Sequence, residues 1–338
     1  MNRKRILIIN TGGTIGMKKT EKGYAPAKDY LAEAIADLAD MKKEDAPDWE
    51  LYELPCLLDS SDITVKEWNK IAEIIYSRYE GYDGFVVLHG TDTMAYTASA
   101  LSFILEGLSK PVVLTGSQIP LSEIRSDGKD NLVTSLLIAA DGVVREVCLY
   151  FSGKLLRGNR AVKMSADDLV AFDSPNYPHL ADVGISIKYN YSAIGNFSKS
   201  ELLLCPFSNV PIGVLKVFPG IQFGLFESIM TDKLSGIVLE TFGAGNIPSG
   251  DGSLIPIISR AFESGSVVAV CSQCPQGTVS LGAYETSSAL KSAGAVSGMD
   301  MTTEAAVAKL YYLFSIGISK KEIKEKMEEN LRGELTRR

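Results

Sequence analysis

The stretch ILIINTGGTIG at residues 6–16 decides the fold of this 338-residue chain. Its run of four branched apolar residues predicts a strand that is buried on both faces, as is typical of a parallel sheet. The run stops at Asn10, and the glycines that follow let the backbone turn sharply and approach a bound group. Open α/β sheets bind ligands beyond the carboxyl ends of their strands. We therefore expect the hydroxyls of Thr11 and Thr14 either to act on a ligand or to cap a helix.

The known phosphate-binding patterns do not fit this turn. Gly12, Gly13 and Gly16 differ in spacing from the G-x-G-x-x-G pattern of dinucleotide-binding folds. The Lys-Ser/Thr pair of a P-loop is also absent. The glycine spacing therefore does not predict a nucleotide site.

Length and composition narrow the class of protein. The chain is 46% hydrophobic and 22% charged, as in ordinary globular proteins, and its length favours two domains over one core. Its net charge is −7 and it has no long basic run, so we expect no nucleic-acid partner. The apolar runs are far shorter than the ~20 residues of a membrane span, so we expect no membrane partner.

The N-terminus and the cysteines predict a cytoplasmic protein. The basic residues 1–5 precede only a short apolar run with no cleavage site, so they are interpreted as the lead-in to the first strand. The five cysteines are odd in number and scattered, which favours reduced thiols. Cys271 and Cys274 form a C-x-x-C pair after a late strand, and with only two histidines in the chain a zinc site is not indicated. We expect them to be two packed cysteines.

The pattern of the first strand recurs at two later positions. Residues 85–88 form an apolar run followed by HGTDT, and residues 111–114 are followed by TGSQ. Each copy joins a buried strand to a glycine and a hydroxyl at the start of a helix. Asp92 also suits a helix N-terminus. Three strand ends thus offer Thr14, Thr91 with Asp92, and Ser117 as candidate groups.

Three further segments carry candidate groups. Residues 17–30 are polar and predict an exposed, mobile loop, in which Tyr24 either packs on the surface or closes over a ligand. Asp59, Ser60 and Ser61 follow a short strand and form either a turn or a binding lip. Lys163 follows a tight basic turn among apolar residues, and partial desolvation there would lower its pKa and let it act as a base.

Alternating strands and helices predict an α/β fold with two domains, each with a mainly parallel sheet flanked by helices. Residues 1–188 form the larger domain, in which the threonines lie. The pattern loosens over residues 189–211, which we interpret as the interdomain linker. Residues 212–338 form the smaller domain.

These groups are suited to acyl transfer on a small polar substrate. A threonine nucleophile with a lysine base is chemically sound, and N–H groups of glycine turns stabilise an oxyanion. Carboxylates and hydroxyls together suit an amino-acid ligand. A non-enzymatic amino-acid sensor or a nucleotide-binding module on the same scaffold remains the alternative.

Two motifs resemble the signatures of bacterial L-asparaginases, namely TGGTIG at residues 11–16 and LHGTDTM at residues 88–94. Shorter matches extend the resemblance over nearly the whole chain: DSSD at 59–62, TGSQIP at 115–120, RSDG at 125–128, RGNR at 157–160, GAGN at 243–246 and NLRGEL at 330–335. The chain is most similar to the type I, cytoplasmic branch.

The resemblance implies hydrolysis of L-asparagine to L-aspartate and ammonia through a threonine-linked acyl-enzyme, without a metal or cofactor. It implies a smaller C-terminal domain that is flavodoxin-like and assembly as a homodimer or a dimer-of-dimers tetramer. The implied catalytic residues are Thr14, Tyr24, Thr91, Asp92 and Lys163. The implied substrate-binding residues are Asp59, Ser60, Ser61, Thr91, Asp92, Ser117 and, from a neighbouring subunit, Asn246.

Two expectations concern selectivity and regulation. A glutaminase or broader amidase is the nearest alternative, since one methylene in a pocket is worth only ~1–3 kcal/mol. Some type I relatives bind asparagine at a regulatory site, with arginine at the place of Glu240 and threonine at the place of Val162. The opposite charge of Glu240 predicts that an identical site is absent here.

Overall fold

A computed structural model describes residues 3–21, 23–27, 29–197, 201–248, 250, 252–282 and 285–336. The chain divides into two compact units, the first ending at Leu204 and the second beginning at Cys205. Each unit has its own sheet and its own apolar core. The prediction of a two-domain α/β fold is confirmed.

The described residues form the following secondary structure. The strands are β1 Arg5–Gly12, β2 Met17–Thr20, β3 Gly23–Pro26, β4 Asp48–Leu58, β5 Gly84–Leu88, β6 Leu105–Glu106, β7 Val112–Thr115, β8 Val147–Phe151, β9 Lys154–Arg157, β10 Val162–Lys163, β11 Phe172–Asp173, β12 Ala181–Val183, β13 Ile187–Tyr189, β14 Leu203–Leu204, β15 Ile212–Lys216, β16 Gly236–Thr241, β17 Val267–Ser272 and β18 Val296–Ser297. The helices are α1 Tyr30–Asp37, α2 Val65–Arg78, α3 Met94–Ile104, α4 Gly128–Asp141, α5 Glu227–Asp232, α6 Leu254–Glu263, α7 Glu285–Ser292, α8 Thr303–Ser315 and α9 Lys320–Met327.

The first unit is built on an eight-stranded sheet in the order β13-β12-β9-β8-β7-β5-β1-β4. The strands β8, β7, β5, β1 and β4 run parallel, and β9, β12 and β13 extend the sheet by antiparallel pairing. The apolar runs of β1 and β5 are fully buried, as expected for strands covered by helices on both faces. The prediction of a mainly parallel sheet is therefore confirmed for this unit.

The interpretation of residues 17–30 as a loop was wrong. The strands β2 and β3 form an antiparallel hairpin in which Met17 pairs with Pro26 and Thr20 pairs with Gly23. Thr20 Oγ1 donates to the Gly23 carbonyl at 2.7 Å, and Gly23 takes a positive φ of 112° in open space. The hairpin escaped prediction because its short strands are mostly exposed and lack an apolar face.

The second unit contains a four-stranded parallel sheet in which β15, β16, β17 and β18 follow one another in chain order. Its core is formed by the apolar faces of these strands and of the helices that connect them. Residues 189–211, predicted as a linker, include β14, which pairs with β6 of the first unit. The C-x-x-C pair lies at the end of β17, where Cys271 is buried but Cys274 is exposed, so Cys274 is not packed as expected.

Two features are absent from the described residues. No helix among them is long and apolar enough to cross a bilayer. They also contain no group of three or more His, Cys, Asp and Glu side chains arranged to hold a metal ion.

A buried ion pair in the second unit connects the segment around Glu334 to α8. Lys309 Nζ lies 2.6 Å from Glu334 Oε1, and both side chains are fully buried. Glu334 also accepts hydrogen bonds from the backbone N–H groups of Leu331 and Arg332. Because both charges are buried, removing either partner leaves the other without its counter-ion, so the pair is sensitive to substitution.

We expect Lys309→Met to lower the free energy of unfolding by about 3–5 kcal/mol, because it leaves the Glu334 carboxylate buried without a counter-ion. Lys321→Met is the matched control, because the Lys321 side chain on α9 is 87% exposed and its loss should cost less than about 0.5 kcal/mol. Urea denaturation followed by circular dichroism measures both variants. Equal stability of the two variants would contradict the role of the buried pair.

Candidate active site

The connections of the large sheet change direction between β1 and β5. After β1 the chain crosses to β4 at one edge, whereas after β5 it continues to β7 and β8 on the other side. Such a reversal opens a crevice beyond the carboxyl ends of the two neighbouring strands. Thr14 follows β1 and Thr91 follows β5. Both threonines therefore leave the sheet at its topological switch point.

Backbone contact holds these two turns together. A methyl group added to Gly13 would lie 2.4 Å from the backbone nitrogen of Gly90, and one added to Gly90 would lie 2.6 Å from Ser60 Oγ. Gly13 also has a φ of 85°, which disfavours any residue with a side chain. The residues directly before Thr14 and Thr91 are thus in van der Waals contact, and the turn at Ser60 packs against the same point.

A side-chain amide fixes the turn that follows β1. The register between β1 and β4 shifts after Asn10, and there Asn10 Oδ1 accepts a hydrogen bond from Gly12 N at 3.0 Å. Asn10 Nδ2 donates to Glu53 Oε1 on β4 at 2.8 Å. Gly13 N then donates to the Leu58 carbonyl at 3.2 Å. The turn is therefore held at successive points along the end of β4.

The two threonines of the first turn have different environments. Thr11 is 1% exposed, and its Oγ1 donates to the Leu88 carbonyl at 2.9 Å. This hydroxyl therefore stabilises the fold by joining the end of β1 to β5. Thr14 is half-buried and begins a short 3-10 turn whose capping position is Gly13, with no side-chain cap. The helix-cap interpretation therefore does not apply to Thr14.

Thr91, Asp92 and Lys163 form a contiguous polar group. Lys163 Nζ donates to Thr91 Oγ1 at 2.8 Å and forms an ion pair with Asp92 Oδ1 at 2.7 Å. The Lys163 side chain is 19% exposed and that of Asp92 is 65% exposed. A hydroxyl and an amine in direct contact provide a route for a proton, and the carboxylate stabilises positive charge on the amine.

Gln118 belongs to this group, although the sequence analysis did not single it out. Thr91 Oγ1 donates to Gln118 Oε1 at 3.0 Å. Gln118 Nε2 donates at 3.2 Å to the carbonyls of Ala166 and Asp168, in the loop that follows Lys163, which fixes the orientation of the amide. Gln118 is the last residue of the motif TGSQ, but the hydroxyl of the adjacent Ser117 was predicted as the site group instead. Ser117 is 1% exposed, and its Oγ has no hydrogen-bond partner within the described part of the chain.

The segment after β4 provides a polar lip beside the two threonine turns. Asp59 Oδ1 accepts hydrogen bonds of 2.9 Å from both the backbone N–H and the hydroxyl of Ser61. These bonds lower the pKa of Asp59, so its carboxylate is charged at neutral pH. Ser60 is buried, and its carbonyl accepts from Thr93 Oγ1 at 2.7 Å, which anchors the lip to the turn that follows β5.

Tyr24 and Asn246 were also predicted to belong to the site. Tyr24 lies on the hairpin strand β3 with its side chain 48% exposed, and a hydrogen bond with the Glu123 carboxylate raises the pKa of its hydroxyl. Asn246 belongs to the second compact unit, in a tight turn where it exchanges two backbone hydrogen bonds with Phe242. The first unit thus brings together the strand-end groups, whereas Asn246 lies in the other unit.

His89 is next to the site in sequence but faces the core. Its Nδ1 donates to the Gly90 carbonyl at 2.7 Å, and its Nε2 contacts Thr97 Oγ1 at 2.8 Å. Trp68 Nε1 donates to the same hydroxyl at 3.0 Å. Burial lowers the pKa of His89 to about 4, so the imidazole is neutral at pH 7 and supports the Gly90 turn.

Taken together, these groups suit attack by a hydroxyl on a carbonyl carbon. Thr14 supplies a hydroxyl at a glycine turn, where backbone N–H groups suit a developing oxyanion. The Thr91–Lys163 contact supplies a proton route, and Asp59 supplies a negative charge for a substrate cation. Such a site is built for acyl transfer on a small substrate that carries a positive charge.

Comparisons with known proteins identify the family of this chain. The family models for "Asparaginase, N-terminal" and "Glutaminase/Asparaginase C-terminal domain" match residues 5–195 and 211–327. L-asparaginase 1 of Escherichia coli (strain K12) is 44% identical over 336 residues, which is 99% of each chain.

Two solved structures extend this similarity to the fold. The crystal structure of L-asparaginase I from Vibrio cholerae has 43% identity and a TM-score of 0.92, covering 99% of this chain and 100% of that one. The thermostable L-asparaginase from Thermococcus kodakarensis has 33% identity and a TM-score of 0.90, with the same coverage. These findings confirm the resemblance that the motifs indicated. The chain belongs to the asparaginase family and to its type I branch.

Proposed function

We propose that this protein hydrolyses L-asparagine to L-aspartate and ammonia through an acyl-enzyme on Thr14. The observation that carries the proposal is the 2.8 Å hydrogen bond between Lys163 Nζ and Thr91 Oγ1. It lies at the switch point of the sheet, where the turn that bears Thr14 contacts the turn that bears Thr91. The names of the full-length relatives support asparagine as the substrate.

The first step forms a covalent ester. Thr14 Oγ attacks the side-chain amide carbon of asparagine, while backbone N–H groups at the glycine turn stabilise the oxyanion. The C–N bond breaks, and the hydroxyl proton of Thr14 reaches the amide nitrogen, which leaves as ammonia. A β-aspartyl ester of Thr14 remains.

The second step returns the enzyme to its starting state. A water molecule attacks the ester carbon, and its proton passes through the Thr91 hydroxyl to Lys163, whose amine is neutral in this step. Asp92 stabilises the resulting ammonium through the ion pair of 2.7 Å. The ester C–O bond breaks, the proton held by Lys163 returns to the Thr14 oxygen, and aspartate is released. No cofactor takes part in either step.

The lip formed by Asp59, Ser60 and Ser61 binds the substrate together with the neighbouring turns. Asp59 and Asp92 hold the α-ammonium, while Ser60 and Ser61 hold the α-carboxylate with backbone N–H groups. Ser117 lines the same site, because it follows β7 beside the Thr91 turn. Tyr24, on the hairpin strand β3, closes the site over the bound substrate.

We further propose a cytoplasmic homodimer or a dimer-of-dimers tetramer. Asn246 would then complete the site from a neighbouring subunit. Large apolar residues are exposed in both units, for example Ile185 at 111% and Leu225 at 72%, and are accessible to a second copy of the chain. The five cysteines are thiols that form no disulfide, which suits a reducing compartment.

The substrate assignment is tested by ammonia release from the purified protein with L-asparagine and with L-glutamine. We expect kcat/KM for asparagine to exceed that for glutamine by about 10–200-fold, the range that one methylene is worth in a fitted pocket. A higher value for glutamine would favour the glutaminase alternative. Absence of ammonia with either amide would favour an amino-acid sensor.

The role of Lys163 is tested by Lys163→Met, which removes the proton route and the ion pair with Asp92. We expect kcat to fall by about 10²–10⁴-fold, the usual contribution of a positioned acid–base group. Lys154→Met is the matched control, because Lys154 makes a 2.6 Å ion pair with Asp173 and is similarly shielded, with 26% of its side chain exposed.

The control variant Lys154→Met loses a comparable ion pair but no contact with Thr91. We expect its kcat to stay within a few-fold of the wild type. Steady-state kinetics at saturating asparagine compares the two variants. Wild-type turnover by Lys163→Met would refute the assignment of Lys163 to the proton route.

A further inference from the structure

Asp127 occupies the position of a helix cap but does not act as one. It precedes α4, where an aspartate usually accepts hydrogen bonds from the first N–H groups of the helix. Its side chain makes no such bond, and Gly128 N instead donates to Ser126 Oγ at 3.0 Å. The carboxylate of Asp127 therefore accepts no hydrogen bond from the first backbone N–H groups of the helix and is available to another part of the chain.

That carboxylate reaches back to the turn that follows β7. Gln118 N donates to both of its oxygens at 3.1 and 3.0 Å, and Ile119 N donates to Oδ1 at 2.9 Å. Asn131 Nδ2 donates to Oδ2 at 3.1 Å and to the Gly116 carbonyl at 3.0 Å. Hydrogen bonds to a charged acceptor are stronger than neutral ones. One carboxylate thus fixes the backbone on which Gln118 is carried.

The side chain of Gln118 links this fixed backbone to the reacting group. Its Oε1 accepts from Thr91 Oγ1 at 3.0 Å, while its Nε2 is held by the carbonyls of Ala166 and Asp168. With its proton directed to Gln118, the Thr91 oxygen receives the donor of Lys163 at 2.8 Å. The orientation of the Thr91 O–H bond therefore depends on the position of the Gln118 backbone.

We propose that Asp127 is a positioning residue for the reaction, acting through Gln118 on the hydroxyl of Thr91. This role rests on the proposed asparagine hydrolysis. Among the described residues, Asp127 makes no hydrogen bond to Thr91 or to the lip at Asp59, Ser60 and Ser61, so its loss should affect the chemical steps more than binding. Small misplacements of a reacting group are costly, since about 1 Å of error can lower a rate 10²-fold.

The variant Asp127→Asn keeps the shape of the side chain but removes its charge. An amide nitrogen in place of Oδ2 would face two donors, Gln118 N and Asn131 Nδ2. We expect kcat to fall by about tenfold or more, with KM within about twofold of the wild type. Asp127→Ser, which retains a good helix-capping residue, is the second variant, and we expect the same split between kcat and KM.

The matched control is Asp130→Asn. Asp130 is an exposed carboxylate in the first turn of the same helix, so its removal reproduces the loss of charge at the helix N-terminus. We expect kcat and KM of this variant to stay within about twofold of the wild type. A loss of kcat in Asp130→Asn equal to that in Asp127→Asn would contradict a specific role for Asp127.

A double-mutant cycle separates positioning from general destabilisation. Gln118→Ala removes the link to Thr91, so adding Asp127→Asn to it should change kcat by less than about twofold. An equal fold-loss of kcat in both backgrounds would overturn the inference while leaving the proposed hydrolysis intact. Absence of ammonia release by the wild type would overturn the proposed function and this inference together.

Discussion

The backbone contact between Gly13 and Gly90 is the constraint on which the site depends. No side chain fits at either position, because a methyl group on Gly13 would meet the Gly90 backbone and one on Gly90 would meet Ser60. The two turns that leave β1 and β5 can therefore approach closely, and each carries a threonine directly after its glycine. The crevice lies beyond the carboxyl ends of the parallel strands, at the switch point of the sheet. The two glycines allow both threonine-bearing turns to lie in this crevice.

The polar groups around this contact divide into a buried set and an exposed set. Asn10, Thr11 and His89 are buried, and their hydrogen bonds hold the turns in shape. The more accessible Asp59 and Asp92 bear the charges that suit an amino-acid substrate. Because unpaired polar groups are costly inside a protein, the buried set is bonded within the fold, whereas Asp59 and Asp92 face solvent.

The parallel core and the strand-end threonines could be predicted from the sequence, because strands buried on both faces are continuous apolar runs. The hairpin of β2 and β3 could not, because its exposed strands carry no apolar periodicity. Gln118 was missed because its partner Thr91 lies far away in the chain. Asp127 resembles an ordinary helix cap in sequence, but in the folded chain its carboxylate turns back to the preceding loop. Long-range polar contacts of this kind leave no periodic signal.

The convergence of Thr14 and Thr91 on one substrate atom is tested most directly by a crystal structure of the protein with bound L-aspartate. We expect the side-chain carboxylate of the product to lie within hydrogen-bonding distance of both threonine hydroxyls, and its α-ammonium to lie beside Asp59. Aspartate bound away from either threonine, or the two hydroxyls opening onto separate surfaces, would contradict it.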